Sequence, residues 1–477
     1  MGIRAHRGRK VGLLRSRGST GPTGGIPAPS FFHAYDVRGR YPVDIDAAAA
    51  TQLGRAVARV FPGPILVGRD TRAESVPFCR HVLEGLASEG SPTGRMGVVP
   101  TPLVAFAAAR WKLTALSATA SHNPLGYVGL KGFDLHGRII GREWSRIRAK
   151  FTAAMTPRTH SAVREAGFGS IPSPAQVQHE YLRWVGEGAR IHGTVVLDPR
   201  GGATARLAVR TFLGVGARVV PIDATFSADF FGRSPEPKAG NLATLGRTVR
   251  RHHALLGATF DGDGDRVLFV DGAGKYVEPE LVALLLYRRR LSSDGVLVAS
   301  VDASRRLDQF ARVRRSRVGT RFVIEAMRRE KAEVGVEASS HIYLGREYES
   351  SDGIRVAVEL ARMLDADSGA VERLRSEVGP IVRATGALTF ADFKGAGRAY
   401  DLLRQTVSQS GTRSIDGFLV LGDLGDCLIR KSNTQPSVRF ALEAESEADL
   451  HRLARATAEW AGKVARTLKP SAPLRFE

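Results

Sequence analysis

The sequence predicts an α/β chain of several domains that closes with an α+β unit, and three observations predict it. Short β-branched runs alternate with helical patterns from Phe31 onward, each bounded by Gly, Pro or Asp. The 477-residue length exceeds the roughly 250 residues that one hydrophobic core usually fills. Toward the C-terminus the alternation gives way to paired strand-like runs and one long Ala-rich helix.

Taken in order, residues 1–29 are rich in Arg, Gly, Pro and Ser with no sustained apolar period, so a disordered basic tail is expected there. Its acid-free start has the composition of an organelle transit peptide but not the amphipathic face of one. A first α/β domain is expected over 30–175, where "GPILVGRD" is a strand ending in a turn, "FCRHVLEGLASEG" a helix and "MGVVPTP" the next edge. The unit repeats over 176–279 as "GTVVLDPRGG", "TARLAVRTFLGVG" and "ARVVPID", and over 280–378 as "DGVLVASVD" followed by "VGTRFVIEAMRRE". Repeated in this way, the unit argues for mixed, mainly parallel sheets covered by helices. Over 379–477, "FLVLGDLGDCLIRKS" and "SVRFALEAES" read as antiparallel strands before a helix from Ser446 to Leu468 with Ser446 as its N-cap.

Composition excludes several function classes. No run approaches the roughly 18 apolar residues of a membrane span; Leu281 to Tyr287 reads as a short buried segment, so no membrane partner is expected. Cys79 and Cys427 are the only cysteines, which rules out a disulfide framework and suits a cytoplasmic protein. The net charge of +21 raises nucleic acid as a partner, but the charge is dispersed and no zinc-finger spacing or aromatic-rich RNA-binding motif accompanies it. A basic field equally attracts a small anionic substrate.

The sharpest motif is "FDGDGDRVLFVDG", Phe260 to Gly272. Asp261, Asp263 and Asp265 alternate with glycines, so a curved loop can turn three carboxylates toward one point, where a hard cation such as Mg²⁺ would neutralise them. A calcium EF-hand loop fails, because Arg266 stands where Gly is needed and Gly272 where a bidentate Glu is needed. A polar hairpin with solvated aspartates is the plainer alternative. "RKSNTQPSVR" gathers Arg430, Ser432, Asn433 and Thr434, with Arg439 close behind, which is chemistry for enclosing phosphate oxygens or else an ordinary surface turn. "GVEASSHIY" offers Glu337, Ser339 and His341 at every second position, which an extended segment would align on one side for gripping sugar hydroxyls; an exposed strand end would look the same. In "TASHNPLGYVGLKG", Ser121 and His122 are adjacent and would face opposite ways in an extended segment, so no serine–histidine pair is implied. Pro124 makes the stretch a shaped loop, either a structural turn or a catalytic one.

Together, and in this order, "FHAYDVRG", "VGRDTR", "PTP", "TASHNP", "DGDGDR", "VGTRF", "GVEASSH" and "RKSNTQPSVR" resemble the α-D-phosphohexomutase superfamily from Phe31 to about Gly462. The resemblance implies a four-domain phosphohexomutase architecture, three α/β domains plus a C-terminal α+β domain around a central cleft. The domains would carry in turn the phosphoserine, metal, sugar-recognition and phosphate-binding loops. It implies a Mg²⁺ enzyme in which Ser121 carries the phosphoryl group and joins Asp261, Asp263 and Asp265 around the ion. It also implies His122 and Lys131 in proton transfer, Arg38 and Arg266 beside the moving phosphoryl group, Glu337, Ser339 and His341 at the sugar, and Arg430, Ser432, Asn433, Thr434 and Arg439 on the other phosphate. A catalytic hexose bisphosphate would serve as activator.

The chain departs from the family's frequent pattern at Val128, Val336, Ser340 and Gln435, and at Asp302, where bispecific phosphomannomutase/phosphoglucomutases often carry lysine. The expected activity is interconversion of hexose 1-phosphate and hexose 6-phosphate through a bisphosphorylated intermediate. Mannose and glucose rank ahead of glucosamine, and a non-catalytic sugar-phosphate sensor is the rival on the same fold. The expected partner is a phosphorylated hexose, and the expected assembly a monomer or small homo-oligomer.

Overall fold

A computed structural model describes residues 30–33, 35–153, 171–290, 295–345, 348–407, 411–413, 415–432, 435–471 and 474–476. The tail expected over 1–29 lies outside the described residues, as do Asn433 and Thr434. The chain folds around four sheets, the first three mixed and the last antiparallel. In the first, the spatial order is Val37–Arg40, Tyr127–Phe133, Thr114–Ala118, Ile65–Arg69, Thr93–Val98. The second repeats that plan with Tyr276–Val277, Val267–Asp271, Leu256–Phe260, Thr194–Asp198 and Arg218–Pro221. Each carries two parallel and two antiparallel ladders among the described residues, so parallel pairing does not dominate them. The third runs Val313–Ser316, Leu297–Ser300, Val334–Val336, Ile342–Leu344, and its last pair is antiparallel. The fourth runs Val382–Thr389, Ser437–Ala444, Gly425–Lys431, Phe418–Gly422, Gly411–Arg413.

Sequence chemistry sets the helix ends. Ser446 caps Glu447–Ala465 by accepting from the Asp449 backbone N–H at 3.1 Å, as its residue type predicts. Asp46 caps Ala47–Val60 in the same way through Ala49 N–H at 2.8 Å. The apolar run at Leu281 lies within a helix, Pro279–Arg290, buried from Pro279 to Leu286. No described helix is long and apolar enough to cross a membrane. Cys79 and Cys427 are both free and buried; burial pushes their thiols up to about 11 and about 12.

One hydrophobic core runs through the first three domains, joining Phe106, Tyr181, Phe260, Leu284 and Leu360. Asp352 fastens this junction, accepting from Tyr181 Oη at 2.9 Å, Tyr348 Oη at 2.5 Å and Arg355 N–H at 3.0 Å. Burial, ahead of these donors, pushes its carboxyl up. The fourth domain has a core of its own and meets the third through polar groups. Arg383 pairs with buried Glu280, Glu443 accepts from Ser304 Oγ at 2.7 Å, and Arg305 reaches Asp426 at 2.5 Å.

In the first domain, Ala47–Val60 and Ser75–Ser88 cross at a pair of glycines. A Cβ on Gly54 would stand 2.1 Å from the Val82 carbonyl oxygen, and one on Gly85 2.0 Å from that of Thr51. Gly85→Ala is therefore expected to force the helices apart, at an overpacking cost of roughly 1–3 kcal/mol. Calorimetry should show an earlier unfolding transition, and an unshifted one would mean that the helices separate freely.

Candidate active site

Each sheet delivers one loop to a shared cleft, and each loop joins two consecutive antiparallel strands. Residues 119–126 follow Thr114–Ala118, 261–266 link Leu256–Phe260 to Val267–Asp271, 337–341 link Val334–Val336 to Ile342–Leu344, and the described residues Ser432, Gln435 and Pro436 lie between Gly425–Lys431 and Ser437–Ala444. The cleft is a cavity of about 1800 Å³ lined by Ser121, Lys131, Arg266, Glu337, Arg430 and Arg439 among others.

The first loop meets the second directly. Ser121 has a left-handed backbone, φ 52°, and its hydroxyl donates to Asp261 Oδ2 at 2.8 Å. Asp70 braces that conformation from both sides. Thr119 Oγ1 donates to Asp70 Oδ2 at 2.8 Å and accepts from Ser121 N–H at 2.8 Å, while Arg72, ion-paired with Asp70, donates to the carbonyls of Ser121 and Pro124 at 2.8 and 2.7 Å. Because Ser121 is not extended, the expectation that it and His122 point apart is corrected: Ser121 Oγ and His122 Nδ1 are 3.4 Å apart. Burial, then Arg266 and Arg38, hold the imidazole well below its ordinary pKa, which favours its neutral form.

Asp261, Asp263 and Asp265 are buried and bring carboxylate oxygens within 4.8 Å of one another. Asp261 Oδ1 shapes the loop by accepting from Gly264 and Arg266 N–H at 2.9 and 3.2 Å. Asp263 Oδ2 accepts from Thr101 Oγ1 at 2.6 Å, and Lys131 Nζ reaches Asp263 and Asp265 at 2.8 and 2.5 Å. Burial, then Asp265 and Asp263, push Asp261 well up; against the same burial, Lys131 and His341 hold Asp265 well down. Asp263 Oδ1 is buried with no hydrogen-bond partner, and Asp265 Oδ1 has only His341 Nε2, 3.4 Å away. An orphaned acceptor is costly, and an all-oxygen carboxylate set fits a hard divalent cation. Arg38 lies beside this cluster, held by Asp36 at 2.7 Å and Asn123 Oδ1 at 3.0 Å.

The third loop is a tight turn with Ser340 at φ 68°, so the alignment expected of an extended 337–341 does not occur. Glu337 instead accepts from Gly319 N–H and Tyr343 Oη, both at 2.6 Å, tying "VGTRF" to the turn. Ser339 Oγ and His341 Nδ1 are 2.8 Å apart, and His341 Nε2 is 3.4 Å from Asp265. Ser340, where the family often has glycine, occupies a backbone region that costs an L-residue roughly 1–2 kcal/mol.

In the fourth domain, Arg430 and Arg439 are direct partners across antiparallel strands. Like charges in facing positions destabilise a sheet unless an anion joins them. Burial, then Arg430, lower the pKa of Arg439, whose guanidinium donates to Gln435 Oε1 at 2.5 Å. A glutamate at 435 would occupy this arginine with a charge; Gln435 leaves it available. Ser432 Oγ accepts from Gln435 N–H at 3.2 Å.

Thus the cleft collects Arg38, Ser121, His122, Lys131, Asp265, Arg266, Glu337, Ser339, His341, Arg430, Ser432 and Arg439, with Asp261 and Asp263 buried immediately behind. Asp302 also lines it, 3.9 Å from Arg430, whereas Val128 and Val336 face the core. Sequence reasoning assigned nothing to Thr101, Arg72 or Glu236. The first two lie inside "PTP" and "VGRDTR", which were visible as motifs; Glu236, 3.4 Å from Arg266 across the cleft, had no local signal.

Family models for phosphoglucomutase/phosphomannomutase match all four parts: α/β/α domain I over 29–158, domain II over 184–274, domain III over 279–379 and the C-terminal domain over 354–459. The phosphoglucosamine mutases of Mycolicibacterium paratuberculosis and Salinispora arenicola are 32% and 31% identical, covering 89% and 91% of this chain and 97% and 98% of theirs. A phosphoglucomutase/phosphomannomutase family protein of Burkholderia thailandensis superposes with TM-score 0.77 at 25% identity, over 94% of this chain and 100% of that one. Parafusin, a Paramecium phosphoglucomutase, shares the fold at TM-score 0.72 and 15% identity, over 94% of this chain and 97% of its own. The chain belongs to the phosphoglucomutase/phosphomannomutase family of the α-D-phosphohexomutase superfamily, a family of phosphosugar mutases.

The arginine pair generates a test. Inorganic phosphate is expected to raise the melting temperature, and Arg439→Gln to weaken phosphate binding roughly tenfold to hundredfold, the value of a charge-assisted contact of about 1.5–3 kcal/mol. Without phosphate the variant should melt no earlier than the parent, since a like-charge contact has gone. An undiminished phosphate response in the variant would locate the anion elsewhere.

Proposed function

We propose that this member of the family is a Mg²⁺-dependent phosphohexomutase that exchanges the 1- and 6-phosphates of a hexose through a phosphoserine at Ser121. One observation carries the reading: a single cavity is lined at once by the Ser121 loop, the aspartate loop and the facing Arg430 and Arg439. That is a reacting end and a holding end for a substrate with two phosphates.

Arg430 and Arg439, with Ser432, Asn433 and Thr434, hold the phosphate that does not react, and Glu337, Ser339 and His341 meet the sugar. Asp261, Asp263 and Asp265, with Ser121, would hold Mg²⁺, which when bound neutralises charge on the phosphoryl oxygens. Arg38 and Arg266 add donors beside the same phosphoryl group. In the first transfer a bond forms between the sugar hydroxyl oxygen and phosphorus, and the phosphorus–Oγ bond of Ser121 breaks. His122 can take the hydroxyl proton, and the ammonium of Lys131 can return one to Oγ. The bisphosphate then turns over within the cleft and the steps run backwards onto Ser121, so no phosphate is consumed.

For the sugar, the fourth-domain and "SSHIYLGREYESSDGI" stretches put mannose and glucose first. A second reading, glucosamine phosphate, is favoured by two observations: the names of the relatives above, and Asp302 beside Arg430. A carboxylate there attracts the ammonium at C2 of an amino sugar, where a lysine would repel it.

With Mg²⁺ and catalytic hexose bisphosphate, one assay on glucose, mannose and glucosamine phosphates should show mutase turnover on at least one, and mass spectrometry should find a phosphoryl group on Ser121. Ser121→Ala should stay folded and lose turnover on the order of 10⁴-fold or more, as removal of a nucleophile does. Binding without turnover in the parent chain would identify a sensor.

A further inference from the structure

Lys131 occupies an unusual place for a proton-transfer group. It projects from the strand Tyr127–Phe133, paired with Ser117, into the aspartate cluster and is 5% exposed. Its ammonium lies 2.8 Å from Asp263 Oδ2 and 2.5 Å from Asp265 Oδ2, while the second oxygen of Asp263 has no hydrogen-bond partner and that of Asp265 has only His341 Nε2 at 3.4 Å. Three carboxylates so close cannot all stay ionised in a buried site unless a cation stands among them. Arg38, Arg266 and His341 surround the cluster, but the ammonium makes its two short contacts.

We propose that Lys131 is a built-in surrogate cation that holds the aspartate loop together when no divalent ion is bound, and that it gives up Asp263 and Asp265 when such an ion loads. The inference rests on the metal reading above. A divalent ion shared by the three carboxylates would bring a second positive charge to the cluster that Lys131 contacts, and two cations a few ångströms apart in a buried site repel strongly. Lysine suits the exchange, since its four-carbon stem can swing while its strand stays fixed. It also has somewhere to go, because Lys131 lines the cavity. Loading the ion then frees the ammonium toward the sugar and Ser121, so ion uptake and readiness for proton transfer become one event. Asp261 takes no part in the exchange, being held by Ser121, Gly264 and Arg266 instead.

The test uses the full-length chain, with melting in EDTA and in Mg²⁺ and calorimetric titration with Mg²⁺. The parent should melt modestly higher in Mg²⁺ than in EDTA, by the stabilisation that ion binding itself confers. Lys131→Met should melt roughly 5 °C or more lower in EDTA, recover in Mg²⁺ and bind Mg²⁺ about tenfold more tightly, having no ammonium to displace. Lys131→Arg should behave in EDTA like the parent. Equal EDTA melting and equal Mg²⁺ affinity in parent and Lys131→Met would overturn the proposal. A parent that takes up no Mg²⁺ would instead overturn the metal reading. If Lys131→Met does not fold, acetylation footprinting of the parent decides: Lys131 protected in EDTA and modified in Mg²⁺ supports the exchange, and equal labelling refutes it.

Discussion

The burial of three carboxylates at the seam between the first two domains is the constraint on which the rest of the site depends. Asp261, Asp263 and Asp265 repel one another, and each is stabilised by a donor from elsewhere: Ser121 on Asp261, Thr101 on Asp263, Lys131 on Asp263 and Asp265. Those donors all belong to the first domain, so the charge that would disrupt the loop alone fastens two domains together. The same contacts aim the Ser121 hydroxyl. The continuous core behind the seam makes this geometry stiff, while the fourth domain, joined through ion pairs, brings the opposite, cationic end of the cleft.

Much of this was legible in the sequence, and the rest was hidden for identifiable reasons. Strand–helix alternation announced the first three sheets because period and turn residues are local properties; the antiparallel end of each was less visible, since "DGDGDR" reads as a motif before it reads as a hairpin. The three aspartates were legible from spacing alone. Their counter-ions were not: Lys131 is 132 residues from Asp263, and no local rule pairs them. Arg430 and Arg439 were visible as arginines, but only strand register puts them face to face. Glu337 and His341 were found by an argument about extended backbone that the turn at Ser340 defeats, so the residues converge for a different reason than the one given. The tail and the amide and hydroxyl of Asn433 and Thr434 lie beyond what the structure describes.

The departures from the family pattern divide along the same physical line. Val128 and Val336 are core residues, so their substitutions are matters of packing. Asp302 and Gln435 touch the arginine pair and change how much positive charge is left for a substrate.

That all four site loops are connections between neighbouring antiparallel strands bears on how such a cleft can diverge. A hairpin connection hangs from a ladder whose hydrogen bonds are main-chain, so its side chains can be exchanged without repacking the sheet below. The third and fourth loops can therefore drift in composition, each on its own scaffold. The Ser121 and aspartate loops cannot drift separately, because each supplies the partners of the other. A lineage built on this plan would be expected to explore new sugars through its third and fourth loops while inheriting the seam between the first two as a single unit.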